Sequence, residues 1–541
     1  MVLKFKFTYK SGDKTLVKFL DFASKQFDCS YKIYQELDFV FLFIQADEKT
    51  LEEFSSKLSL YVPMSIFYYG VEVDVIENLP KEDSTSIYDD KIISFCPTCL
   101  KEVEDENSLD FYNAFKSCEV CKSFENATFI FENEEIKSHK KLFEKLSQLI
   151  NEDKKLKIKT LSGTFVFSKV KNIENHKELL VTNLENINTL IVENATSIVA
   201  LASIEKPQIE FKINEIYKLK HSIKKEKIDL RFANDLTLHL LSVELKKLKI
   251  DFLNIEDENA KFDYFLDIKS SNNIFLDIPK VVCFDNKKLI LNSISYPKKL
   301  DTVFSKFKQK DKAQFMTVLA ENELFDKSII NFYISSLNDD KISYYSQNGL
   351  VDILEDLYLP TTIKEVFESI KKDTKGEKLL KNYQEKFKDD YEIALNTKID
   401  FSKKSFFTYW QIAKIVLNFK EDIVLNASNS LLEKGPRIDY KILDNKKVFN
   451  RKFDYLPLIK TAMSFKLAGV DEETISLGFI ESFAHFIANE IDTLHNTYEL
   501  EGVSLCGDMF ANIRFNQLVE KSITKNFKIY YNKEFVIQKW I

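Results

Sequence analysis

Four of the seven cysteines in this 541-residue chain, Cys96, Cys99, Cys118 and Cys121, form two C-x2-C pairs separated by eighteen residues. A C-x2-C knuckle sets two thiolates on one side of a metal ion, and two knuckles complete a tetrahedron. Sulfur then fills every position, leaving none for water or substrate, so the chemistry implied is a structural zinc. Lys101, Lys116 and Lys122 flank the pairs and would offset the excess thiolate charge. Cys29, Cys283 and Cys506 are isolated, and Cys283 and Cys506 read as small buried apolar side chains.

No second constellation of comparable strength exists. The six histidines are His139, His176, His221, His239, His485 and His495, and no two are four apart on a helix. His485 and His495 share a helical stretch but stand roughly 15 Å apart along it, too far to share an ion. His485 is expected in or beside the core. Arginine occurs only at 231, 437, 451 and 514, so bidentate phosphate forks are scarce. Ten glycines are present, and the closest pair is Gly502 and Gly507. Phosphate-cradling loops need glycines close together so that backbone N–H groups can approach the ligand. Asp508 and Asn512 are expected to cap the helix that follows them. The sequence assigns no catalytic residue and no nucleotide-binding residue.

Composition bounds the partners. Apolar content of 45%, with 47 Phe and 23 Tyr, supports several cores, and the length implies three or four domains. A net charge of −7 gives no strong electrostatic footprint for nucleic acid. No run approaches the eighteen apolar residues of a membrane span, and "MVLKFKFTYKSGDK" is too charged for a signal peptide. Isolated cysteines around a metal cluster fit a reducing, cytoplasmic setting.

The positioning elements follow from periodicity. Residues 1–78 read as strand, helix, strand, strand, helix, strand: the ferredoxin-like βαββαβ unit. Residues 79–91 are a polar linker, and 90–130 hold the zinc-finger segment. Residues 135–300 are mixed α/β. There 155–170, "TSIVALASIEK" (196–206) and 280–296 read as strands, and 235–248 as a helix. Residues 305–541 form a C-terminal domain. It is mostly helical to about 430, with a capping-box spacing at Thr362 and Glu365 and a solvated Lys/Glu-rich stretch over 363–400. Its last hundred residues give a long amphipathic helix (471–496), strand 501–507, helix 512–523 and strand 527–532.

"CPTCLKEVEDENSLDFYNAFKSCEVC" (96–121) resembles the zinc-finger segment of HypF, the carbamoyltransferase family of NiFe-hydrogenase maturation. "FYNAF" stands where that family often has Tyr-Pro-Phe, and the preceding βαββαβ unit matches its acylphosphatase-like domain. Residues 177–207 and "LHLL" (238–241) are similar to its YrdC-like domain. Residues 454–491 with "VSLCGDMFANIRF" (503–515) are similar to the end of its transferase domain.

The resemblance implies an α+β and α/β multidomain fold: acylphosphatase-like unit, zinc finger, YrdC-like domain and transferase-like domain. The departures fall on the chemistry. The turn after the first strand, "KSGDK", has one Gly and no Arg. No Cys for a second finger lies between 122 and 282. Only Lys159, Lys169, Lys171 and Lys177 stand near the YrdC-like basic cluster. Asp508 replaces a glycine in the second phosphate turn. The implied function is an accessory or scaffold protein of hydrogenase assembly without full carbamoyl transfer. Its expected partner is a NiFe-hydrogenase subunit or maturation protein. The alternatives are an active carbamoyltransferase using carbamoyl phosphate and ATP for the cyanide ligand, and a zinc-dependent tRNA binder.

Overall fold

Phe5, Phe7 and Tyr9 alternate with Lys4, Lys6 and Thr8, so the strand Val2–Tyr9 has one apolar face and one charged face. In the computed structural model that apolar face meets the buried side of the helix Thr15–Ser24, formed by Leu16, Phe19, Leu20 and Ala23. The structure describes residues 1–89, 91–93, 95–192, 194–284, 287–292, 301–399, 401–443, 447–523, 526–533 and 537–538. The second helix, Glu48–Tyr61, starts on an Asp47 cap whose carboxylate accepts the Thr50 amide, and it buries Leu51, Phe54 and Leu58. The strands form one antiparallel sheet in the order Ser30–Glu36, Phe39–Gln45, Val2–Tyr9, Tyr68–Ile76. The expected βαββαβ order is therefore present.

The polar linker is docked rather than loose. The Thr85 amide donates to the Ile33 carbonyl at 2.8 Å, and the Ile33 and Gln35 amides donate to Ser84 Oγ and Thr85 Oγ1. Residues 82–85 thus satisfy the outer edge of Ser30–Glu36.

The chain divides into two compact units, residues 1–288 and 289–541. The first also contains a long sheet. Its order runs Lys280–Phe284, Gln208–Ile213, Lys227–Phe232, Glu178–Val181, Phe252–Asp257, Gly163–Lys169, Leu156–Thr160, Tyr264–Lys269, Thr128–Phe131, Glu134–Ile136. Helices His139–Asn151 and Leu236–Lys247 pack Leu142, Phe143, Leu146, Leu238 and Leu241 against Phe129, Ile158 and Phe167. One expected strand is a helix: Ala195–Ala202 follows an Asn194 cap that accepts the Ser197 amide at 2.8 Å. Its β-branched residues suit a strand, but the cap and three alanines decide for the helix. The tail of the expected 280–296 strand pair, from 293 on, lies outside the described residues.

The second unit holds a sheet ordered Gly349–Asp352, Lys341–Ser346, Ile329–Tyr333, Gly502–Cys506, Lys528–Tyr530. The first three strands lie in a stretch expected to be mostly helical. "IINFY" (329–333) is buried at every position, Asn331 included, rather than at alternate ones, because the central strand is covered on both faces. Helices Phe406–Leu417 and Glu472–Tyr498 build an aromatic core from Phe406, Trp410, Phe483 and Phe486. Gly478 lets the chain at Pro436 cross the long helix, since a Cβ there would lie 2.3 Å from the Pro436 carbonyl oxygen.

Candidate metal centre and anion-binding turns

The knuckles bring the four sulfurs together. Cys96 caps the helix Pro97–Glu104, its sulfur accepting the Cys99 amide at 3.4 Å, with Pro97 set at the start of the helix. In the second knuckle the Val120 amide donates to Cys118 Sγ at 3.4 Å, and the Cys118 amide donates to the Cys121 carbonyl. The Sγ separations are 3.7 Å for Cys96–Cys118, 3.6 Å for Cys118–Cys121 and 3.5 Å for Cys121–Cys99. All four lie within 4.8 Å of one another. Zinc–sulfur bonds of about 2.3 Å give a tetrahedron edge of about 3.8 Å, so the spacing and the all-thiol donor set fit such an ion. Among the described residues no other group of His, Cys, Asp and Glu is arranged to hold a metal.

Crowding splits the thiols. Cys118, beside the Cys121 and Cys96 sulfurs, is held far below the usual thiol range, and Cys99, beside Cys118, far above it. The expected lysine screen is partly used elsewhere: Lys116 pairs with Asp110 at 2.6 Å and Glu102 at 2.8 Å. Lys101 and Lys122 are exposed.

The cluster is embedded in the first unit. Phe19, Ile93, Val120 and Ile204 surround it. Further contacts fasten the finger to the long sheet's helices: His239 Nε2 to Glu104 at 2.8 Å, Tyr112 Oη to Glu244, and the Ala114 amide to His139 Nδ1 at 3.3 Å.

Two turns have the geometry that seats anions elsewhere. The first joins the strand Val2–Tyr9 to the helix Thr15–Ser24, whose free N-terminal amides attract negative charge. Here the chain's own carboxylates take them. Asp13 accepts the Thr15 amide at 2.9 Å, the Tyr9 hydroxyl at 2.7 Å and the Ser11 hydroxyl at 2.8 Å, and it forms an ion pair with Lys91. Asp89 accepts the Lys14 amide at 2.6 Å and pairs with Lys18. Burial pushes the Asp13 carboxyl up, but Lys91 and Tyr9 outweigh it and hold it well below the usual carboxylate range. Lys14, at the end of the turn, donates to Gln35 Oε1 at 2.8 Å.

The second turn lies at the C-terminal ends of two parallel strands, Ile329–Tyr333 and Gly502–Cys506, a usual ligand position in open α/β sheets. Gly507 has φ +97°, and a Cβ there would lie 2.1 Å from the Ile334 carbonyl oxygen. Only glycine fits, and the turn it makes drives Asp508 onto the neighbouring loop. The Asp508 carboxylate accepts the Ser336 amide at 3.1 Å and the hydroxyls of Ser335 and Ser336. Asp340 accepts the Ser335 amide at 2.7 Å and the Phe406 amide at 2.6 Å, and Ser335 Oγ accepts the Leu337 and Asn338 amides. Burial pushes both carboxyls above their usual range, Asp340 strongly. Asp508 therefore does not cap the next helix. Asn512 does, accepting the Phe515 amide at 3.0 Å.

The other expected residues separate. Cys506 is buried and its thiol is pushed up to about 12 by burial; Cys283 is likewise buried and pushed up to about 11. His485 is exposed on the long helix rather than in or beside the core. Lys159 and Lys171 pair with Asp267 and Asp153, and Lys169 donates to Asn151. The buried cations of the long sheet are instead Arg231, beside Glu178 at 3.1 Å, and Lys280, paired with Asp229 at 2.5 Å. Both were missed, because strand-borne charges carry no motif. A clearer signal went unused: both turns read Gly-Asp at a strand end, Gly12-Asp13 and Gly507-Asp508.

No family model matches the sequence. The chain is 22% identical over 520 residues to Protein HydE of Wolinella succinogenes, covering 90% of each. It superposes on full-length HypF in a phosphate- and nucleotide-bound form with a TM-score of 0.64 and 12% identity. On T. kodakarensis HypF the TM-score is 0.67 with 11% identity; each match covers 99% of this chain and 96% of the other. The protein is a multidomain α/β protein with a four-cysteine cluster, and its fold is that of HypF. No described helix is long and apolar enough to cross a membrane.

Proposed function

We propose that this chain is a zinc-stabilised accessory protein of NiFe-hydrogenase assembly that has kept the HypF fold and lost carbamoyl transfer. The four cysteines hold the zinc and perform no chemistry. The observation that carries the reading is the occupation of both anion-seating turns by the chain's own carboxylates. A phosphate entering either turn meets a buried carboxyl group and finds amide donors engaged, by Asp13 and Asp89 in one and by Asp508 and Asp340 in the other. The full-length likeness to HypF and the similarity to HydE support the hydrogenase setting. The domain limits expected from the sequence, 1–78, 90–130, 135–300 and 305–541, belong to the same proposal, as does a cytoplasmic location.

Affinity purification of the tagged chain from its own cells tests the reading. A hydrogenase subunit or maturation protein is expected in the eluate. The purified protein is expected to show no carbamoyl-phosphate-dependent ATP–pyrophosphate exchange above a blank. Exchange would establish the active carbamoyltransferase instead. A salt-dependent mobility shift with tRNA would establish the nucleic-acid binder.

A further inference from the structure

The strand Tyr68–Ile76 ends the N-terminal sheet, paired on one side with Val2–Tyr9. Among the described residues no strand pairs with its other side. Cross-strand register sorts its side chains by face. Val71, Val73 and Val75 stand opposite Phe7, Phe5 and Leu3, on the face that carries the two helices. Glu72 and Asp74 stand opposite Lys6 and Lys4, on the other face.

The three valines are 45%, 52% and 64% exposed, an apolar row on an open edge. Such an edge is usually protected by a charge placed on its apolar face or by a bulge or proline. None of these falls within Val71–Val75; the bulge in the ladder lies just before that row, where Tyr69 of the edge strand is the extra residue between the Thr8–Gly70 and Tyr9–Tyr68 pairs. Glu72 and Asp74 each hold one lysine, at 3.0 Å and 3.8 Å, yet their side chains remain 69% and 62% exposed. Each carboxylate has room for a second cation from the outer side.

We propose that this edge receives an extended segment in which basic and apolar residues alternate, docked as an added strand. The apolar side chains of the segment cover Val71, Val73 and Val75, and its lysines or arginines reach Glu72 and Asp74. The chain shows the pattern on the occupied side, where Leu3-Lys4-Phe5-Lys6-Phe7 meets the same strand. A second copy of the edge is the wrong partner. Antiparallel self-pairing about Val73 sets Glu72 opposite Asp74, and like charges directly opposite destabilise a ladder.

The test uses the full chain and two labelled peptides, VLKFKFTY and its charge-reversed form VLEFEFTY. The basic peptide is expected to bind, and the acidic one at least about tenfold more weakly, from two attractive cross-strand pairs turned repulsive. The double variant Glu72→Lys with Asp74→Lys, checked for folding by circular dichroism, is expected to reverse the preference. Equal binding of both peptides, binding of neither, or dimerisation of the chain lost on Val73→Lys would each overturn the proposal.

Discussion

The two Gly-Asp turns place a carboxylate where an anion would sit, but they hold it differently. Asp13 is held from outside: Lys91 and its neighbour in the same segment, Asp89, reach the turn from just ahead of Cys96. Asp508 is held by hydroxyls and an amide of the adjoining loop, and among the described residues no lysine or arginine pairs with it. The difference shows in the carboxyls themselves, one pulled below its usual range and the other pushed above. One plug is held by a cation and the other by hydrogen bonds alone.

The largest difference between the turns is expected on loss of the metal. If zinc fixes the segment that delivers Asp89 and Lys91, chelation or Cys99→Ser should lower the melting of the first unit by roughly 10 °C or more, as expected when a structural zinc is lost. Hydrogen exchange at Thr15 and Lys14 should speed up with it, while exchange at Ser336 should not change. Equal loosening of both turns would show that the metal has no special hold on the first.

Next in size is one substitution made twice. Asp13→Asn leaves Lys91 beside a neutral group and should destabilise by about 3 kcal/mol, the low end for breaking a buried ion pair with one partner partly exposed. Asp508→Asn replaces a carboxyl whose charged form burial disfavours and keeps an acceptor for the serines, so the change should stay within about 1 kcal/mol of zero. Denaturant midpoints with matched slopes measure both.

The smallest effect is in the pH profile, and the two turns have opposite signs. The folded Asp13 carboxyl is depressed. Its contribution is present above about pH 4, the unfolded carboxylate value, and is lost only as pH falls through the lower folded value. The folded Asp508 and Asp340 carboxyls are raised. Their contribution is intact below about pH 4 and falls as pH rises from there through the folded value. Asp508→Asn should therefore flatten a decline of stability above pH 4, and Asp13→Asn should flatten the acid limb below it. A shared sign for the two variants would contradict the contrast.

Much of this was legible in the sequence. The cysteine spacing marked the cluster, and alternation and helical period marked the βαββαβ unit, because both are local patterns. The same local reading turned Ala195–Ala202 into a strand and missed Ile329–Tyr333, where a cap in one case and two-sided burial in the other overrode composition. The plugs were half visible. The lone glycine of "KSGDK" and the Asp after Gly507 marked departures from the family pattern, but not what fills the turns. Lys91 and Asp89 reach Asp13 and Lys14 across 78 and 75 residues, and Ser335 reaches Asp508 across 173. No spacing rule spans such separations.

The central claim is that the chain's own carboxylates occupy two turns whose geometry suits a phosphate. Calorimetric titration of the zinc-loaded full chain with carbamoyl phosphate, and separately with ATP and magnesium, tests it most directly. The account predicts one zinc per chain and no heat beyond dilution for either ligand at millimolar concentration. Saturable binding in the micromolar range, abolished by substitution of Ser336 or Lys14, would contradict it.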